Sequence, residues 1–168
     1  MASEPLTAKP SGKDGGPNLP VLPPVLPFVA LVLTFFGEML VPLTFLQPVG
    51  AFGWQFWVGV GILLAGFGFG VAGIRAFRDA GTHVEPFKPA LVLVTDGPYR
   101  LTRNAMYLGF VLLLAGLGLA ASLEWALVLT PVLWIALDRI VVVREERYLT
   151  AKFGETYDDF RRRTRRWL

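Results

Sequence analysis

The chain has 168 residues, of which 54% are hydrophobic and only 17% charged, with 18 Gly, 13 Pro and no Cys. A mean hydropathy of +0.52 is too apolar for an ordinary soluble domain and excludes a disordered protein. Without Cys there is no disulfide scaffold, iron–sulfur centre, thiolate zinc site or Cys nucleophile, and with one histidine, His83, no His-cluster metal site. The sequence reads as one all-α, polytopic integral membrane domain with no metal.

In chain order, residues 1–24 are polar and rich in Pro and Gly and read as a disordered tail before a single domain over 25–168. No cleavable signal peptide is evident, because the apolar run starts late and no basic segment abuts it. A first span is expected over 25–46, broken only by Glu38 and two prolines, and a second over 52–74, with Gln55 its only strongly polar side chain. The apolar block 106–143 would be about 57 Å as one helix, nearly twice a crossing of roughly 30 Å. Ser122, Leu123 and Glu124 interrupt it, so it reads as a helical hairpin, 106–121 and 125–143, giving about four transmembrane helices. The last helix is expected to continue over 144–153, to stop at Gly154, and to be followed by an amphipathic helix over 155–166.

Fourteen of the sixteen Lys and Arg residues lie from Arg75 onward, five of them within 161–166. With four spans every basic segment shares one side, which the positive-inside rule makes cytoplasmic, with both termini, in the cell (inner) membrane. Trp54, Trp57 and Trp125 then mark the opposite interface. The basic excess fits anionic lipid headgroups at 161–166 rather than nucleic acid, which is not expected as a partner. Within the second span Gly66 and Gly70 form a G-x-x-x-G that admits close helix packing. No strand precedes these glycines, so they are not a dinucleotide fingerprint.

All four tyrosines, Tyr99, Tyr107, Tyr148 and Tyr157, fall on the cytoplasmic side, as does the pair Glu145–Glu146. A site is therefore expected between loop 82–104 and helix 144–160. Gly97-Pro98-Tyr99-Arg100 reads as a turn, and Asn104 as a side-chain N-cap of the third span. Arg103 and Tyr107, four apart, share a face. So do Arg139 with Glu146 and Asp138 with Glu145, seven apart; these suit either a ligand grip or a salt-bridge ladder. Glu38 needs a partner or a proton, which a substrate cavity or Gln55 would supply, and His83 reads as a surface residue.

Leu93-Val94-Thr95-Asp96-Gly97-Pro98-Tyr99-Arg100 followed by Arg103-Asn104-Ala105-Met106-Tyr107-Leu108-Gly109, with Gly81-Thr82 and Pro86…Pro89 before them, resembles one continuous motif. It is similar to bacterial members of the isoprenylcysteine carboxyl methyltransferase and phospholipid methyltransferase superfamily. Glu145-Glu146-x-x-Leu149-x-x-x-Phe153-Gly154-x-x-Tyr157-x-x-Phe160, ending Arg166-Trp167, resembles the second motif, so the likeness covers 75–168. It implies an S-adenosylmethionine pocket roofed by the C-terminal helices. Val94, Gly97, Tyr99, Arg103, Asn104, Tyr107 and Gly109 would correspond to the first cofactor motif, and Glu145, Glu146 and Tyr157 to the second. Arg103, Tyr107 and Glu146 would serve the transfer to a lipophilic acceptor: a prenylcysteine-like carboxylate, a phospholipid amine or a similar nucleophile. Ala105 stands where these proteins usually carry Pro, a change that the capping by Asn104 is expected to tolerate. The alternatives are an NADPH-dependent membrane reductase of related fold and a non-catalytic scaffold binding anionic lipid.

Overall fold

The computed structural model describes residues 15–48, 53–85 and 88–168, which form helices and irregular connections with no strand. Residues 1–14 of the expected tail and Pro86 of the first motif lie outside the described residues. Six helices follow in order: α1 (Val25–Leu40), α2 (Trp54–Asp79), α3 (Ala105–Ala121), α4 (Glu124–Ala136), α5 (Val143–Phe153) and α6 (Glu155–Arg163). A π-helical stretch, Leu137–Val142, joins α4 to α5, and a 3-10 turn, Gly97–Arg100, precedes α3.

Two rods are long and apolar enough to cross a membrane: α2, and the continuous Glu124–Phe153. Only 17% of the most apolar window of α2 is buried and 28% of the other. Their apolar surface therefore faces outward, as lipid requires and an aqueous core helix does not. α1 and α3 are shorter apolar helices, of 16 and 17 residues.

The expected first span over 25–46 ends six residues early. Pro42 disfavours the helical conformation in the residue before it, and Val41 sits at φ −139°, ψ 74°. α2 begins at Trp54 and runs past Ile74 to Asp79. The hairpin forms as read, turned by Ser122 in the left-handed region (φ 50°). α5 stops at Gly154, whose φ of +52° suits glycine. α6 closes at Arg163, three residues short of expectation. Just before α1, Pro23 is fully buried and Leu19 packs against the core.

α2 and α3 form the tightest pair, and they meet glycine to glycine. A Cβ on Gly116 would lie 2.6 Å from the Leu63 nitrogen, one on Gly66 2.9 Å from the Leu113 nitrogen, and one on Gly109 2.9 Å from the Gly66 carbonyl oxygen. The seam therefore uses Gly59, Gly66 and Gly73 at seven-residue spacing on α2, all buried. Gly70 contributes backbone contacts to Gly109 from its edge.

At the end of the bundle away from the basic segments, polar side chains tie the helix ends together. Gln55 accepts from the Gln47 N–H at 3.0 Å and donates to the Leu119 carbonyl at 3.0 Å and to Ser122 at 3.2 Å. Glu38 is not among the partners of Gln55. Its carboxylate accepts the Trp125 N–H at 2.8 Å, capping the first turn of α4 from another helix, while the Trp125 indole donates to the Val41 carbonyl at 2.8 Å. Glu38→Ala is expected to destabilise the protein by about 1–2 kcal/mol, the cost of a lost cap. Unfolding in detergent measures this, and a change below about 0.5 kcal/mol would show that the cap contributes nothing.

Candidate active site

The basic end of the bundle holds a pocket with about 870 Å³ of empty space, part of it open to solvent. One wall is formed by residues 83–85 and 88–94, the latter held by two side-chain anchors. Tyr148 accepts the Ala90 N–H at 3.2 Å, and the Thr82 hydroxyl accepts the Leu91 N–H at 2.9 Å. The floor is the start of α3 with Tyr99, the far wall is α5, and α6 lays Tyr157 and Phe160 across the top. Gly97 at φ +61° makes the sharp entry into the 3-10 turn that sends Tyr99 inward.

Most of the lining is apolar or aromatic. Val94, Tyr99, Tyr157 and Phe160 form one buried cluster, with Tyr99 tilted against Phe77 at 5.5 Å between centroids. Burial, and secondarily the Glu145 charge, raise the Tyr99 phenol well above its ordinary value. Burial, followed by the charge of Glu146, pushes Tyr157 up to about 12. Both hydroxyls are therefore neutral at physiological pH.

The two carboxylates of α5 have different surroundings. Glu145 accepts one bond, from the Tyr107 hydroxyl at 2.5 Å, and otherwise faces the pocket. Glu146 is held by two guanidiniums. Arg103 donates to its Oε1 from Nη2 at 2.9 Å and Nε at 3.3 Å, and Arg166 donates to its Oε2 at 2.5 Å and Oε1 at 3.2 Å. That partnership raises the Arg166 pKa. Arg103 also donates to the carbonyls of Arg161 and Thr164. Glu146 and Arg103 thus spend their polar atoms on each other, on Arg166 and on the backbone, whereas Glu145, with the Tyr107 hydroxyl as its hydrogen-bond partner, turns to the cavity.

Of the residues that the sequence singles out, Val94, Tyr99, Arg103, Asn104, Tyr107, Glu145, Glu146 and Tyr157 all line this pocket. Gly97 faces Ala76 of α2 on the far side of the 92–94 wall, and Gly109 lies in the α2–α3 seam. Asn104 occupies the N-cap position of α3 but makes no side-chain cap; its amide donates instead to the Arg166 carbonyl at 2.8 Å. His83 is half-buried at the pocket mouth rather than on open surface. Arg139 does not meet Glu146. Asp138, not Glu145, shares the Arg166 partnership, at 3.4 Å. Tyr148, which neither motif assigns to the cofactor, also lines the pocket; three residues after Glu145, it shares that helix face.

The basic run is largely self-neutralised. Arg161 pairs with Asp158, Arg162 with Asp159, and Arg166 with Glu146 and Asp138. Among the described residues only Arg163 and Arg165 of that run lack a carboxylate partner.

The family model for phospholipid methyltransferase matches residues 54–156, more than half of the chain and nearly all of the pocket. The chain belongs to the phospholipid methyltransferase family. A Haemophilus influenzae protein named only as uncharacterized is 40% identical over 65 residues, which is 38% of this chain and all of that protein. No solved structure matches. Membership identifies a methyltransferase family, in keeping with the outward-facing apolar rods. Phe160 and the Arg166–Trp167 segment lie beyond the matched residues.

Proposed function

We propose that this family member is an S-adenosylmethionine-dependent methyltransferase that modifies a lipophilic acceptor at the cytoplasmic face of the cell membrane. The observation that carries the reading is Glu145: a carboxylate with a single neutral hydrogen-bond partner, facing an aromatic cavity. Such a cavity suits a cationic ligand, because the carboxylate attracts an ammonium or sulfonium and the faces of Tyr99, Tyr107 and Tyr157 attract its positive charge. The acidic and aromatic lining fits the cofactor's cationic groups. When bound, S-adenosylmethionine supplies an electrophilic methyl group on sulfur, open to in-line displacement by an acceptor lone pair.

The protein's contribution is position and dryness. Glu145, fixed by Tyr107, orients the cationic part of the ligand. Val94, Tyr99 and Phe160 exclude water, Asn104 and Tyr157 hold the roof to the floor, and Arg103 with Glu146 forms the rigid polar end. Gly97 and Gly109 serve through backbone geometry. The acceptor enters from the bilayer, and its class is a prenylcysteine-like carboxylate, a phospholipid amine or a similar nucleophile. Arg163 and Arg165 are the cations left for anionic headgroups. The test supplies S-adenosylmethionine labelled in its methyl group to protein in vesicles of bacterial lipid extract. Label in the organic phase is expected, and label that stays in the aqueous phase would count against a lipophilic acceptor.

A further inference from the structure

Past α6 the chain turns extended at Thr164 (φ −125°, ψ 135°) and runs beside the loop that opens α3. Thr102 and Arg165 form an isolated parallel bridge, and the Arg103 N–H donates to the Arg165 carbonyl at 2.9 Å. The Arg166 carbonyl accepts from the Thr102 hydroxyl at 2.9 Å and the Asn104 amide at 2.8 Å. The Arg166 guanidinium crosses to Glu146 and Asp138. The Trp167 indole donates to Asp138 Oδ1 at 2.9 Å and meets Trp134 edge to face at 6.0 Å.

These bonds join three separate stretches: loop 102–104, the rod from Trp134 to Glu146, and residues 164–167. The first two carry pocket walls, and the third fixes the end of the helix that supplies Tyr157 and Phe160. α6 is otherwise attached through the turn at Gly154, its apolar face and the Arg103 bonds to the Arg161 and Thr164 carbonyls. Asp138 meets this segment because of the π-helical stretch: the extra residue in its wide turn brings positions eight apart, Asp138 and Glu146, onto one side.

We propose that Arg166, Trp167 and Asp138 are positioning residues, a clasp that holds α6 closed over the pocket and fixes Arg103 and Glu146, so that cofactor affinity depends on it. The dependence on cofactor rests on the function proposed above; the clasp itself does not. The test uses the full chain in detergent, wild type beside Asp138→Ala and the milder Trp167→Phe, which keeps a ring on Trp134 but loses the N–H. In ligand-free protein both variants are expected to exchange the amides of 102–104 and 164–167 at least about tenfold faster. S-adenosylhomocysteine binding should weaken about tenfold, one charged hydrogen bond's worth, with KM for S-adenosylmethionine raised and kcat at saturation unchanged. The double variant should be no worse than Asp138→Ala, since both remove the same bond. Unchanged exchange would show that no clasp exists. Faster exchange with wild-type affinity and KM would show that the clasp does not position the pocket. Absence of ligand binding by wild type would refute the cofactor dependence, while exchange would still decide the clasp.

Discussion

Glu145→Gln is expected to weaken S-adenosylhomocysteine binding by about 10- to 100-fold while leaving the protein as stable as wild type or slightly more so. The hydrogen-bond partner of Glu145 is a neutral phenol, so the folded protein gains little from the carboxylate and a cationic ligand gains a great deal. Glu146→Gln is expected to behave in the opposite way. Its carboxylate and the Arg103 guanidinium are each only 10% exposed, and neutralising it leaves Arg103 without its countercharge. Loss of one partner in such a pair costs about 3 kcal/mol. Two neighbouring acids of similar appearance therefore separate into a ligand-facing and a structural residue. Calorimetry and detergent unfolding on both variants measure the contrast, and equal losses of affinity and stability in both would remove it.

Gly116→Leu is expected to disrupt the bundle. Its first side-chain carbon would lie 2.6 Å from the Leu63 nitrogen and 2.8 Å from the Gly59 carbonyl, and backbone cannot move aside without separating α2 from α3. Overpacking alone costs about 1–3 kcal/mol, and opening the seam adds to it, so little folded protein should survive extraction. Gly61→Leu is the matched control, because nothing lies within 4 Å of that position and leucine forms helix better than glycine by nearly 1 kcal/mol. Folded yield after extraction reads both; a Gly116→Leu protein as stable as the control would mean that the seam is looser than described.

The parts of this molecule readable from sequence are those set by local chemistry. Ser122 and Leu123 turn the hairpin because an apolar block of that length must fold back, and Gly154 ends α5 because it accepts a positive φ. The grouping of tyrosines and carboxylates at the basic end foretold the pocket. Other features depended on distant partners. Pro42 ends α1 through its effect on Val41, although the apolar residues on both sides of it continue a span-like pattern. Glu38 reads as an acid in need of a partner or a proton, and its partner is a backbone N–H 87 positions away. Asn104 carries the right residue type for a cap, yet its amide is drawn to the Arg166 carbonyl, which no local pattern announces. The π-helical stretch Leu137–Val142 has no composition of its own, so regular seven-residue spacing paired Asp138 with Glu145 and Arg139 with Glu146. The wide turn instead aligns Asp138 with Glu146. The five arginines of 161–166 read as a free basic patch, but Arg161, Arg162 and Arg166 have carboxylate partners.

The proposed function requires that the aromatic pocket around Glu145 bind an adenosyl sulfonium cofactor. Calorimetric titration of detergent-purified protein with S-adenosylmethionine, S-adenosylhomocysteine and NADPH tests it most directly. The structure predicts saturable binding of both adenosyl ligands, the charged sulfonium at least as tightly as its neutral product, and none of NADPH. NADPH binding alone, or no binding by folded protein, would contradict it.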